Sequence, residues 1–250
     1  MGVLGIEDAD GVRVLTLNRP DALNAFNDEL WDATRDALVE AQGRDDLGCV
    51  VLTGAGRAFT AGQDLGEMAA PPSHANGELH GYRGFIPVLE EFDKPLIAAV
   101  NGIGVGIGIT VLGYCDLVVM GESARLKAPF VSLGVTTEAA GSVSLPARMG
   151  WAAAAHVIFT GGWLSAADAL ACGLAWRVTP DAQLLDETMA VARVIGAQPV
   201  GALTATKRLM VAGRLDAWRA ARVREDSEFV RLVGAPENLA ALEAFFNKGS

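Results

Sequence analysis

KPLIAAVNGIGVGIGITVLGYCD, residues 94–116, carries no charged side chain between Lys94 and Asp116. Its first half, Pro95–Val100, is apolar and ends at Asn101-Gly102, which predicts a strand buried on both faces. Its second half places Gly102, Gly104, Gly106 and Gly108 alternately with Ile and Val. Glycine weakens the interior of a regular element, so this spacing predicts a loop where another group approaches the backbone closely. The apolar run Ile109-Thr110-Val111-Leu112 that follows suits a buried helix. Strand, glycine loop and helix start leave free backbone N–H groups at a helix N-terminus, which favour negative charge on a ligand. Five glycines, an Asn and an early Pro oppose a lipid-facing span. The spacing fits neither G-x-G-x-x-G nor G-x-x-x-x-G-K-[ST], so a nucleotide loop has no support.

The rest of the chain repeats this theme. Val12–Asn18 alternates as a half-buried strand. Asn27–Ala41 has helical spacing with Asn27 as N-cap and Gly43 as stop. Cys49–Thr53 is a second buried strand, and Arg57–Thr60 a short one leading into Ala61-Gly62-Gln63-Asp64-Leu65, another small-residue turn before a helix. Gly66–Gly84 reads as a mobile surface segment that could act as a lid. Strands at Leu117–Met120 and Ala124–Lys127 precede helices over Leu145–Met149 and Trp151–Phe159. Ser165-Ala-Ala-Asp168 is a capping box, and Trp176–Val178 is the last strand. From Asp181 the pattern is helical, with breaks expected near Pro199, Gly213 and Ala235-Pro236. Alternating strands and helices predict an α/β fold, divided at 1–196 and 197–250. The amphipathic stretch Leu215–Val233 reads equally as a core face or an oligomer interface.

The 250 residues are 51% hydrophobic and 20% charged, enough for a sizeable core. A net charge of −10 opposes general nucleic-acid or anionic-membrane binding. Cys49, Cys115 and Cys172 are dispersed and odd in number, which predicts reduced thiols and a cytoplasmic location. Neither a zinc-hydrolase nor a serine-hydrolase motif is present.

Three segments, LNRPDALNAF at 17–26, FTAGQDL at 59–65 and KPLIAAVNGIGVGIGITVLGYCDL at 94–117, together resemble the crotonase (enoyl-CoA hydratase/isomerase) superfamily. The similarity runs through nearly the whole chain. It implies a spiral of ββα units with a C-terminal helical trimerisation region, assembly as a homotrimer or dimer of trimers, and an acyl-CoA thioester as substrate with no cofactor. By motif position it implies an oxyanion hole from the backbone N–H groups of Ala61 and Ile107. It likewise implies substrate contacts at Ala22, Leu23, Ala25, Gly62, Gln63, Asp64, Leu65, Gly106 and Phe130. Helix capping explains Asp64 equally well.

Hydratases of that family carry two glutamates, and here Thr110 and Phe130 stand in their places. A different carboxylate occurs nearby. Glu138, in LGVTTEAAGSVSLP, is the one charged residue between Lys127 and Arg148. Its apolar setting favours burial and a raised pKa, as a proton shuttle near neutral pH requires. It could also be a first-turn helix acid favoured by the dipole. The segment resembles the peroxisomal-type Δ3,Δ2-enoyl-CoA isomerases, whose single catalytic glutamate lies at this position. The expectation is an enoyl-CoA isomerase; the alternatives are a hydratase of the same fold and a non-catalytic acyl-CoA binding protein.

Overall fold

The computed structural model describes residues 2–64, 66 and 79–247, apart from the side chain of Phe246. The chain opens with a hairpin, β1 (Leu4–Ala9) and β2 (Val12–Leu17), turning through left-handed Asp10 and Gly11. Helix α1 (Asp28–Gln42) follows. The Asn27 side chain accepts the Leu30 N–H at its start, and Leu30, Trp31, Thr34, Ala37, Leu38 and Ala41 form its buried stripe. At its far end the buried Lys94 ammonium donates to the carbonyls of Ala41 and Arg44, groups that a helix C-terminus leaves open.

A repeating unit then begins. Strands β3 (Cys49–Gly54) and β4 (Ala58–Thr60) lead to α2 (Gly81–Glu91). Strands β5 (Leu96–Val100) and β6 (Ile103–Val105) lead to α3 (Ile107–Thr110). Strands β7 (Leu117–Gly121) and β8 (Arg125–Lys127) lead to α4 (Gly141–Met149) and α5 (Trp151–Thr160). In each unit the first strand joins a six-stranded sheet of order β1-β2-β3-β5-β7-β10 and the second a four-stranded sheet of order β4-β6-β8-β9. Strands β9 (Trp163–Ser165) and β10 (Arg177–Thr179) flank α6 (Ala166–Ala171), and α7 (Leu184–Gly196), α8 (Val200–Leu232) and α9 (Pro236–Asn247) complete the chain. Pairing is parallel except for β1–β2 and β8–β9. This is the expected α/β arrangement of repeated ββα units with a helical C-terminal region. β3 and β5 are buried along their whole length, as their unbroken apolar runs require.

The step from one sheet to the other is held by two side-chain amides. Asn24, fully buried, donates to the carbonyls of Ala55 and Ala58 at 2.9 and 2.8 Å. Asn101 accepts the Gly54 N–H at 3.1 Å and donates to the Gly56 and Ala58 carbonyls. Next to Asn101, a Cβ on Gly102 would lie 2.2 Å from the Arg57 carbonyl oxygen. A Cβ on Gly104 would meet Leu126, and one on Gly108 would meet Thr60. The close approach read from the glycine spacing is therefore, at three of the four positions, an approach by the chain itself.

Several expectations change. The segment 102–108 is not all loop: it holds strand β6. Strands β1 and β9 lie where no strand was predicted. The expected break at Gly213 is absent, because α8 runs through it for 33 residues; one exposed helical glycine costs only about 1 kcal/mol. The predicted lid Gly66–Gly84 falls mostly on residues 67–78, outside the described residues, whereas Gly81–Gly84 forms the first turn of α2.

Replacing Gly102 by Ala is expected to lower the urea midpoint, with a loss of about 1–3 kcal/mol typical of overpacking and more if the turn cannot move.

Candidate active site

Segment 22–26 runs beside the turn after β4. The Phe26 N–H donates to the Gly62 carbonyl at 2.7 Å, and the Asp64 N–H donates to the Phe26 carbonyl at 2.8 Å. Ala22, Leu23 and Ala25 thus border the Gly62-Gln63-Asp64 turn. Asp64 uses both oxygens: one pairs with Arg19 at 3.0 Å, and the other accepts the Gly66 N–H at 3.0 Å. Leu65 lies outside the described residues.

Gly62 has φ +96° and Gly106 has φ +59°, conformations that side chains disfavour. A Cβ on Gly62 would sit 2.9 Å from the Val105 carbonyl oxygen and 3.9 Å from the Gly106 Cα. The two glycine turns therefore touch, and each is followed directly by a residue whose amide is in question: Gln63 and Ile107.

The Ala61 amide requires a correction. Its N–H donates to the Leu23 carbonyl at 2.9 Å, so it is occupied within the fold. The Gly62 N–H is also taken, by Thr60 Oγ1 at 3.1 Å. The Gln63 and Ile107 N–H groups have no hydrogen-bond acceptor among the described residues. The Gln63 side chain is anchored away from its amide, Oε1 accepting the Trp31 indole N–H at 2.9 Å. Motif position points to Ala61, whose N–H is held inside the fold; in the same turn it is the Gln63 N–H, immediately after the left-handed Gly62, that has no acceptor among the described residues.

A cavity of about 510 Å³ opens beside this turn, lined by apolar Leu79, Ile86, Pro87, Phe229 and Val230 and by polar groups that include Gln63, Tyr82, Glu138 and Glu225. Of the residues singled out from sequence, Gln63 and Glu138 reach its wall. Phe130 sits in the apolar core, 6% exposed, and Thr110 is fully buried with its hydroxyl turned back to the Gly106 carbonyl at 3.4 Å.

Glu138 precedes α4 on a turn in which Ala139 and Ala140 are both left-handed, with φ 55° and 53°. Its own carbonyl accepts the Gly141 N–H at 2.9 Å. The residue is half-buried, and what surface it retains borders the cavity. Its carboxylate has no hydrogen bond or salt bridge among the described residues. Loss of hydration, followed by the negative charges of Glu225 and Asp226, pushes it up to about 8 from an ordinary 4.5. A carboxyl of this kind accepts or returns a proton near neutral pH. Arg222 does not neutralise it, being held by Glu90 through bonds of 2.9 and 3.2 Å. Tyr82, Arg222 and Glu225 were not singled out from sequence, because they come from helices distant in the chain.

The family model described as enoyl-CoA hydratase/isomerase matches residues 7–250. Escherichia coli 1,2-epoxyphenylacetyl-CoA isomerase is 36% identical over 203 residues, covering 79% of this chain and 78% of that protein. Escherichia coli 2,3-dehydroadipyl-CoA hydratase is 32% identical, covering 99% and 97%. The crystal structure of an enoyl-CoA hydratase/isomerase from Pseudoalteromonas atlantica superposes with a TM-score of 0.95 at 33% identity, covering 98% of this chain and 97% of the other.

The raised carboxyl has a consequence for stability. Below about pH 4.5 Glu138 is protonated in both folded and unfolded chains and imposes no penalty. As pH rises, the unfolded chain ionises first, so the folded state loses of order 1.4 kcal/mol per pH unit until the folded carboxyl also ionises near 8. Urea unfolding should therefore show Glu138→Gln gaining stability over the parent between pH 5 and 8, with no gain at pH 4.

Proposed function

The chain belongs to the enoyl-CoA hydratase/isomerase family, and on that premise we propose that it is an acyl-CoA isomerase moving the double bond of a 3-enoyl-CoA to the 2-trans position. The observation that supports this most is one desolvated carboxyl, Glu138, on the wall of an apolar cavity, while Thr110 and Phe130 stand where two-glutamate hydratases carry theirs.

Ionised Glu138 removes a proton from C2. The electron pair moves onto the thioester oxygen, and the negative charge that develops there is stabilised by the backbone N–H groups of Gln63 and Ile107. Donors held in place before the reaction stabilise such charge without reorganising, and one donor is typically worth ~10²–10³ in rate. The enolate then collapses, the double bond forms between C2 and C3, and C4 takes the proton back from the Glu138 carboxylic acid. One carboxyl suffices because the proton leaves and returns along one face of the chain. Adding water would need a second group to activate it. Ile86, Leu79, Phe229 and Val230 offer the acyl chain an apolar wall.

Hydration is the second reading, favoured by Glu225 and Asp226 lining the same cavity. Glu225 is engaged in capping α4, which leaves it poorly placed to activate water. We further infer a homotrimer or dimer of trimers, since Trp151, Phe159, Leu209 and Met210 are 64–79% exposed in the single chain. Three unpaired cysteines support a reducing, cytoplasmic setting, and the reaction suits the breakdown of unsaturated fatty acids.

Purified protein given 3-enoyl-CoA should form 2-trans-enoyl-CoA, while 2-enoyl-CoA should yield no 3-hydroxyacyl product; the opposite result selects the hydratase. Binding of acyl-CoA with neither product would leave a binding protein. Glu138→Gln should cut isomerase turnover by ~10²-fold or more, the scale of a lost acid–base group. Because the carboxylate form is the base, kcat/KM should rise with pH through about 8.

A further inference from the structure

The turn that carries Glu138 is held from outside itself. Two successive alanines in the left-handed region cost of order 1–2 kcal/mol each, and such a conformation persists only where the surroundings impose it. Both Ala139 and Ala140 are fully buried. The helix that follows, α4, has no side-chain cap of its own. Two side chains from distant parts of the chain supply the missing acceptors. The Ala139 N–H donates to the Tyr82 hydroxyl oxygen at 2.8 Å, from α2, and the Ser142 N–H donates to Glu225 Oε1 at 2.8 Å, from α8. The two bonds bracket the residues that fix where the Glu138 carboxyl lies, and both Tyr82 and Glu225 line its cavity.

Glu225 is an unusual choice of cap. It is 5% exposed, and its Oε2 has no partner among the described residues. Ala140 is left-handed, whereas an N-cap side chain works from extended backbone, so position 140 offers no ordinary cap and the acceptor comes from another helix.

We propose that Tyr82 and Glu225 are positioning residues that clamp the Glu138 turn, Tyr82 through the Ala139 N–H and Glu225 through the Ser142 N–H. This rests on reading Glu138 as the base. The polar and charged groups around the cavity are Gln63 from the β4 turn, Tyr82 and Arg83 from α2, Thr137 from the turn itself, and Arg222, Glu225 and Asp226 from α8. Arg222 is committed to Glu90, and Arg83 lies at the exposed rim. Glu225 is also pushed upward by burial, and its charge is a secondary cause, after loss of hydration, of the raised Glu138 carboxyl.

The test uses Y82F, E225A and E225Q in the full chain, each checked for folding by circular dichroism. Y82F and E225A should lose ~10–10² in kcat with KM little changed, the scale of a misplaced reacting group. E225Q keeps an oxygen for Ser142 and removes the charge. It should recover most of the kcat lost in E225A, and its pH–rate limb should move to lower pH. Two readouts do not depend on turnover. Amide exchange should quicken at Ala139 in Y82F and at Ser142 in E225A. The ¹³C-carboxyl titration of Glu138, assigned with E138Q, should move down in E225Q. If folded Y82F and E225A keep the parent kcat and the parent amide exchange, the clamp is overturned. If E225A does not fold, Y82F, which removes a single hydroxyl, decides by its kcat and by exchange at Ala139. A parent protein inert on 3-enoyl-CoA, but with exchange quickened at Ala139 in Y82F and at Ser142 in E225A, would discard the isomerase reading and keep the clamp.

Discussion

The architecture depends on hydrogen bonds from two asparagine side chains at the step between the sheets. Residues 54–58 leave the six-stranded sheet for the four-stranded one, and four amide-to-carbonyl bonds from Asn24 and Asn101 hold them there. Of the carbonyls they hold, that of Ala58 lies on a buried residue, where a missing partner would cost a few kcal/mol. The same anchoring draws segment 22–26 alongside the β4 turn. That adjacency occupies the Ala61 N–H, while the Gln63 N–H has no acceptor among the described residues, so the fold's solution to a backbone problem also selects which amide of this turn stays open.

Much of this could be read from residue order. The parallel strands announced themselves because a strand buried on both faces is apolar throughout, as in Cys49–Thr53 and Pro95–Val100. Helix α1 was legible from its cap and stripe. Glu138 stood out because nothing charged lies near it in the chain. Other features were not legible, each for a physical reason. Strand β6 is three residues long with a glycine at its centre, so neither propensity nor alternation marks it. Gly213 interrupts the pattern but not α8, since nothing packs where its side chain would be. That the Ala61 N–H is occupied was not legible, because an open amide is defined by what the rest of the fold already binds. Tyr82 and Glu225 meet the Glu138 turn across 57 and 83 residues; no local pattern encodes such contacts.

What the Glu138 carboxyl can do follows from its burial and from its lack of an ion-pair partner among the described residues. A carboxyl in an apolar cavity, with the nearest guanidinium committed elsewhere, holds its proton into the neutral range. The fold bears an energetic penalty to keep it so, and the left-handed alanines add to it. Both penalties fall within one short turn, the one that carries Glu138.

Helix α8 enters late in the chain, yet it supplies one of the two acceptors that shape the turn before α4. On a ribosome releasing the chain from its N-terminus, both sheets and the glycine turns can assemble while that acceptor is still unmade. The Glu138 turn must then wait for Glu225, 83 positions downstream of the Ser142 that it holds. Nascent chains halted before α8 would hold both sheets and the glycine turns but lack the acceptor for the Ser142 N–H, so the turn before α4 is completed only by the closing helices.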